Sequence, residues 1–107
     1  NSMKVSEHAK ERLAKRLNIN KKAGIRQAEL SIERGYALHE LSGNLKKWAT
    51  TKVFQGGHHH TVRVYNNLIF IFDPRDMNLV TAFHVPSNMH KLVAGLKKKR
   101  ENKNKKD

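Results

Sequence analysis

Five consecutive apolar residues, Leu68-Ile69-Phe70-Ile71-Phe72, stand between the turn formers Asn66-Asn67 and Asp73-Pro74. The run is too short for a helix and, after Leu68, is made of β-branched and aromatic residues, so it reads as a strand. Apolar side chains at every position, rather than at every second one, require cover on both faces, as in the central strand of a sheet. Its neighbours can be read on either side. Upstream, Val62 and Val64 alternate with Thr61, Arg63 and Tyr65, which describes a half-buried strand. Asn66-Asn67 fits a two-residue hairpin turn, because Asn tolerates positive φ. Downstream, Asp73-Pro74-Arg75-Asp76 is a turn, and residues 79–85 form the last strand. Strict alternation there places Leu79, Thr81 and Phe83 on one face and Val80, Ala82 and His84 on the other. Pro86 ends it.

Before residue 59 the period is helical. Val5, Ala9, Leu13 and Leu17 recur every four residues, which predicts a first helix over 6–17 with Ser6 as N-cap. Asn20 can cap a second helix whose buried face is Ile25, Ala28 and Ile32, with Gly35 at its C′ position. Leu41, Leu45 and Trp48 predict a short third helix near 41–50, although residues 50–54 fit a strand as well. Ser87 can cap a last short helix through Leu96. Residues 97–107 carry seven basic and two acidic residues and no apolar ones, so this tail is expected to be disordered or loosely helical. Helices first and strands second give an α+β fold: N-terminal helices packed on one face of a small antiparallel sheet of three to four strands, with a basic C-terminal tail. The expected organisation is a single domain over 4–96 followed by the tail, 97–107.

The net charge of +13 on 107 residues points to a polyanionic partner, and about +8 of it remains without the tail. No apolar run approaches the length of a membrane span, and none resembles a signal peptide. A membrane-surface role is disfavoured because the basic tail has no interleaved Trp or Phe. With no Cys, thiolate metal sites are excluded. Two of the three histidines at 58–60 could begin a zinc site, but no carboxylate pair accompanies them in sequence. A polar loop touching phosphate through His60, or an inert loop, is the simpler reading, so no metal and no cofactor is expected.

The first helix also carries a polar stripe. His8, Arg12 and Arg16 recur every four residues beside the apolar one. Such a stripe suits a phosphate-bearing partner: His exchanges a proton near neutral pH, and Arg holds phosphate oxygens with a planar fork. The plain alternative is a solvated face of a basic surface helix.

The opening Ser6-x-His8-Ala9-x-x-Arg12-x-x-x-Arg16, together with Leu79-Val80-Thr81-Ala82 on the last strand, resembles a superfamily of small ribonucleases. This superfamily, abbreviated BECR, comprises the barnase, EndoU, colicin and RelE-like enzymes, and within it the likeness is to the DUF4258-type group. It extends over residues 5–86. The resemblance implies a metal-independent endoribonuclease, of a kind met as a toxin or on phages and mobile elements, acting in the cytoplasm. It further implies His8 as the leading catalytic residue, Arg12 as its phosphate-binding or structural partner, Thr81 as a further site residue, and an antitoxin or immunity protein as a partner.

Metal-free RNA cleavage needs a base for the ribose 2′-OH, cations for the five-coordinate phosphate and an acid for the leaving 5′-oxygen. Arg63 could clamp phosphate with Arg12, and His84, His39 and Tyr65 are candidates for the second proton carrier. Each has an ordinary structural alternative: a solvent-facing strand residue for Arg63, a buried filler for Thr81, a core histidine for His84 and a sheet-edge cover for Tyr65. Lys15, Arg16, Tyr65, His60, Lys97, Lys98, Lys99 and Arg100 complete the expected RNA contacts. A non-catalytic RNA- or DNA-binding module would use the same basic face.

Overall fold

The computed structural model describes residues 5–104. Residue 4, where the domain is expected to begin, and residues 105–107 of the basic tail lie outside it. The architecture is α+β. Helices α1 (Glu7–Leu17) and α2 (Lys21–Arg34) come first. Strand β1 (Tyr36–Ala37), a single 3-10 turn (Leu38–Glu40) and helix α3 (Gly43–Thr50) follow. A two-residue hairpin joins β2 (Phe54–Gln55) to β3 (His58–His59). Strands β4 (Thr61–Tyr65), β5 (Leu68–Phe72) and β6 (Leu79–His84) form the meander. A second 3-10 turn (Ser87–Met89) leads into α4 (His90–Asn104).

The main sheet is antiparallel in the order β1-β4-β5-β6, so β5 is interior and β6 is an edge. The turn between β4 and β5 is Asn66-Asn67, both at positive φ, with Tyr65 paired to Leu68. The continuous apolar run is explained by what covers β5. Phe70 and Phe72 pack with Leu13, Leu17 and Ala28 of α1 and α2. Ile69 and Ile71, on the opposite face, pack with Leu45 and Ala49 of α3 and Val93 of α4. Helices therefore lie on both faces of the sheet, and the expectation of a single helical face is corrected. The two-sided burial already implied by Leu68–Phe72 is met by helices from both ends of the chain.

Local chemistry starts the first two helices as read, whereas Ser87 opens a 3-10 turn without capping the last helix, and the buried face of α2 is Gly24, Ala28 and Ser31, with Ile32 exposed. Ser6 Oγ accepts from the Ala9 N–H at 3.1 Å, and Asn20 Oδ1 accepts from the Ala23 N–H at 2.7 Å. Gly35 differs from expectation. It follows α2 in an extended conformation, φ −71°, not a left-handed one. It is needed for closeness: an added Cβ would collide with the Ser31 carbonyl oxygen and come within 3.0 Å of the Val64 carbonyl oxygen. Both obstacles are backbone and cannot swing away. Gly35→Ala is therefore expected to destabilise the fold by about 1–3 kcal/mol, the usual cost of overpacking. A denaturant midpoint equal to wild type would contradict this.

Of the two states expected for the basic C-terminal stretch, the helical one is found as far as Asn104, where it continues α4. Arg100 ties it down. The guanidinium donates to the carbonyls of Arg34 (2.7 Å) and Gly35 (3.3 Å) and to Glu40 Oε2 (2.9 Å), and lies 3.9 Å from the Tyr36 ring centre. Partial burial pushes the Glu40 carboxyl up, but the Ala37 N–H and the Arg100 guanidinium pull it down further, so it sits below the usual value. A lowered folded-state value stabilises the fold above the unfolded carboxyl value and ceases to do so as pH falls through the folded one. Acidification below about pH 4.3 should thus cost wild type more stability than Glu40→Gln. The difference should stay under about 1 kcal/mol because the pair is part-exposed. Parallel melting temperatures of the two proteins down to acidic pH would refute it.

Candidate active site on the first helix

Helix α1 lies against β6. Ala9, Leu13 and Leu17 are buried, so the adjacent stripe of His8, Arg12 and Arg16 runs along the outer flank of the helix, one turn between successive residues. Arg12 Nη2 donates to His8 Nε2 at 2.7 Å. A guanidinium only donates, so Nε2 is the acceptor and the imidazole proton sits on Nδ1. One turn on, Arg16 Nη1 donates to Thr81 Oγ1 at 3.1 Å, and its guanidinium carbon lies 4.4 Å from the centre of the Phe83 ring. Thr81 is 1% exposed.

A bulge in β6 sets up this contact. Ile71 pairs with Thr81 but Phe72 pairs with Leu79, leaving Val80 as the extra residue. The strict alternation expected for this strand is therefore corrected. Leu79 packs with Ala82 on the α1 side, while Val80 and Phe83 join the cluster on the other face. The bulge falls on the residue immediately before Thr81. Lys52, just past α3, completes the surroundings. Its Nζ is 4.7 Å from the Phe83 ring centre and 5.5 Å from that of Trp48.

The structure thus brings His8, Arg12, Arg16 and Thr81 to one edge of the sheet. The other sequence-predicted residues lie elsewhere. Arg63 on β4 donates to the Val62 carbonyl at 2.9 Å and lines a separate hollow of about 390 Å³ with His39 and Lys46. His84 is exposed at the end of β6, opposite Leu68. His60 Nδ1 is 2.9 Å from the His58 carbonyl oxygen. Tyr65 packs at the margin of the α1–α2 cluster and lines a cavity of about 510 Å³ with Tyr36, His90 and Lys97. Lys15 is exposed on α1, Lys97, Lys98 and Lys99 are exposed on α4, and Arg100 holds α4 to the body. Helix α4 contributes Val93 and Leu96 to the far face of the sheet, so its lysines are not part of the α1 stripe.

Lys52 and Phe83 escape sequence reasoning. The one local signal is the spacing of four between Trp48 and Lys52. Their meeting with Arg16 is made by the fold, because β6 is an edge around which the α1 layer and the α3 layer both reach. Among the described residues no three His, Asp or Glu side chains gather as a metal site, and no helix is long and apolar enough to cross a membrane. Compared with known proteins, the chain matches no family model, no curated protein and no solved structure.

Proposed function

We propose that this protein is a metal-independent endoribonuclease, toxin-like or borne on a phage or mobile element, whose active site is the α1–β6 edge. The observation that carries the reading is the single line of His8, Arg12 and Arg16 ending on Thr81, from which acidic partners are absent among the described residues. A phosphate entering this line draws Arg12 toward its oxygens. His8 Nε2 is then free to take the ribose 2′-OH proton as the 2′-oxygen attacks phosphorus. Arg12 and Arg16 balance the charge of the five-coordinate phosphate. The bond to the 5′-oxygen breaks, and that oxygen takes a proton from solvent. The products are a 2′,3′-cyclic phosphate and a 5′-hydroxyl.

The site of action would be the cytoplasm, where RNA is available, and an acidic antitoxin or immunity protein is the natural restraint on such a face. The second reading is a non-catalytic RNA- or DNA-binding module. It is favoured by one observation: none of His39, Tyr65 and His84 joins the α1 stripe as a second proton carrier. The two readings part on one experiment. Bulk tRNA and a single-stranded RNA are incubated with the protein in EDTA and the ends are analysed. Cyclic-phosphate ends support the enzyme; retention of RNA without any cutting leaves the binding module.

A further inference from the structure

Arg16 and Lys52 make no ion pair among the described residues. They nevertheless converge from opposite layers of the fold onto one ring. At 4.4 and 4.7 Å from the Phe83 centre, the two charges lie within about 9 Å of each other. Like charges this close repel, and an anion between or across them converts repulsion into attraction. The arrangement is held without using up the donors. Thr81, buried, fixes only Nη1 of Arg16. Lys52 is seated by the faces of Phe83 and Trp48, and its ammonium makes no hydrogen bond among the described residues. Its three N–H groups are therefore open to an acceptor. Phe83 and Trp48 are themselves half-buried. Beside them β6 pairs on one side alone.

We infer that Arg16 and Lys52 form a phosphate clamp, with Phe83 and Trp48 as its aromatic floor, that holds the backbone of single-stranded RNA along the open edge of β6. Two cations beside half-buried rings suit an unpaired strand, whose phosphates meet the charges while its bases reach the ring edges. A duplex would keep its bases stacked away from the floor. The inference takes its ligand from the RNA reading above, but it does not require that RNA be cut. It also gives a part to Lys52, which lies outside the α1 stripe.

The test uses a short, fluorescently labelled 2′-O-methyl oligoribonucleotide, which keeps the phosphates and lacks the attacking hydroxyl. Its Kd is measured by anisotropy across a range of salt concentrations. For Arg16→Gln/Lys52→Gln the slope of log K against log salt should flatten by about 1.4, since each single-strand phosphate that a cation neutralises accounts for about 0.7. Kd at low salt should weaken at least about tenfold. Lys52→Arg should retain most of the wild-type slope, which separates loss of charge from loss of fold. Lys22→Gln/Lys91→Gln removes two exposed charges on α2 and α4, neither of them over the Phe83 or Trp48 ring, and should change the slope by less than about 0.7. Equal changes in the clamp and control variants, or no binding by wild type, would overturn the clamp. If wild type binds through the clamp but never cuts unmodified RNA, the clamp stands and the enzyme reading falls. If wild type cuts and the clamp variant binds and cuts equally well, the clamp falls and with it the part of Arg16 in holding the phosphate, while cleavage centred on His8 and Arg12 stands.

Discussion

Replacing His8 by Ala is expected to lower RNA cleavage by about 10²–10⁴-fold, the usual contribution of a positioned general base. The loss should fall on kcat and leave KM nearly unchanged, because Arg12 and Arg16 remain to hold the phosphate. His8 is exposed and among the described residues its one side-chain bond is to Arg12, so stability should change by no more than about 0.5 kcal/mol. That pairing of a large kinetic effect with a small structural one distinguishes a base from a helix-stabilising residue. Full cleavage by a folded His8→Ala protein, assayed in EDTA, would remove His8 from the mechanism and shift attention to the remaining histidines.

Phe70→Ala should have the largest effect on stability. The side chain is fully buried, its ring centre 6.5 Å from that of Phe72, and it belongs to the cluster that seats α1 and α2 through Leu13, Leu17 and Ala28. Truncating a buried Phe removes the transfer energy of the ring and leaves a cavity, together about 3–5 kcal/mol. Set against a typical total of about 5–15 kcal/mol, this takes the protein about a fifth of the way to unfolding or further. Ile32→Ala on α2, where the side chain is 38% exposed, is the control and should cost far less. Chemical denaturation of the two variants checks the contrast. The same cluster holds the apolar flank of α1, so a milder Phe70→Leu change is expected to loosen the seat of the His8–Arg12–Arg16 stripe before it unfolds the domain.

The parts of this fold that can be read from sequence are those set by neighbours in the chain. Alternation in Thr61–Tyr65, the unbroken run Leu68–Phe72 and the Asn66-Asn67 turn specify a hairpin by period and turn chemistry alone. Ser6 and Asn20 cap their helices through bonds spanning three residues. The illegible parts are those set at a distance. Strand β1 is two residues long and exists because β4 offers it partners at Val64 and Arg63. Nothing local marks Val80 as a bulge, since its composition is that of an ordinary strand residue. Arg100 looks like one more charge in a basic run, yet its donors reach back sixty positions or more to Arg34, Gly35 and Glu40.

The candidate site divides in the same way. The His8, Arg12 and Arg16 stripe is a helical period and is visible in sequence. Its contact with Thr81 spans 65 positions, and only the family resemblance points to it. Arg63 enters the expected site because strand alternation turns it away from Val62 and Val64. The separate hollow that it lines, on the β4 side of the sheet, shows that facing outward does not mean facing the same place.

The most direct measurement compares one single-stranded RNA with its all-deoxy counterpart of the same sequence, each incubated with wild-type protein in EDTA. Cleavage of the RNA to 2′,3′-cyclic phosphate ends is predicted, with the deoxy strand left intact because it lacks the attacking hydroxyl. Cutting of both strands, or of neither, would contradict a ribonuclease built on the α1–β6 edge.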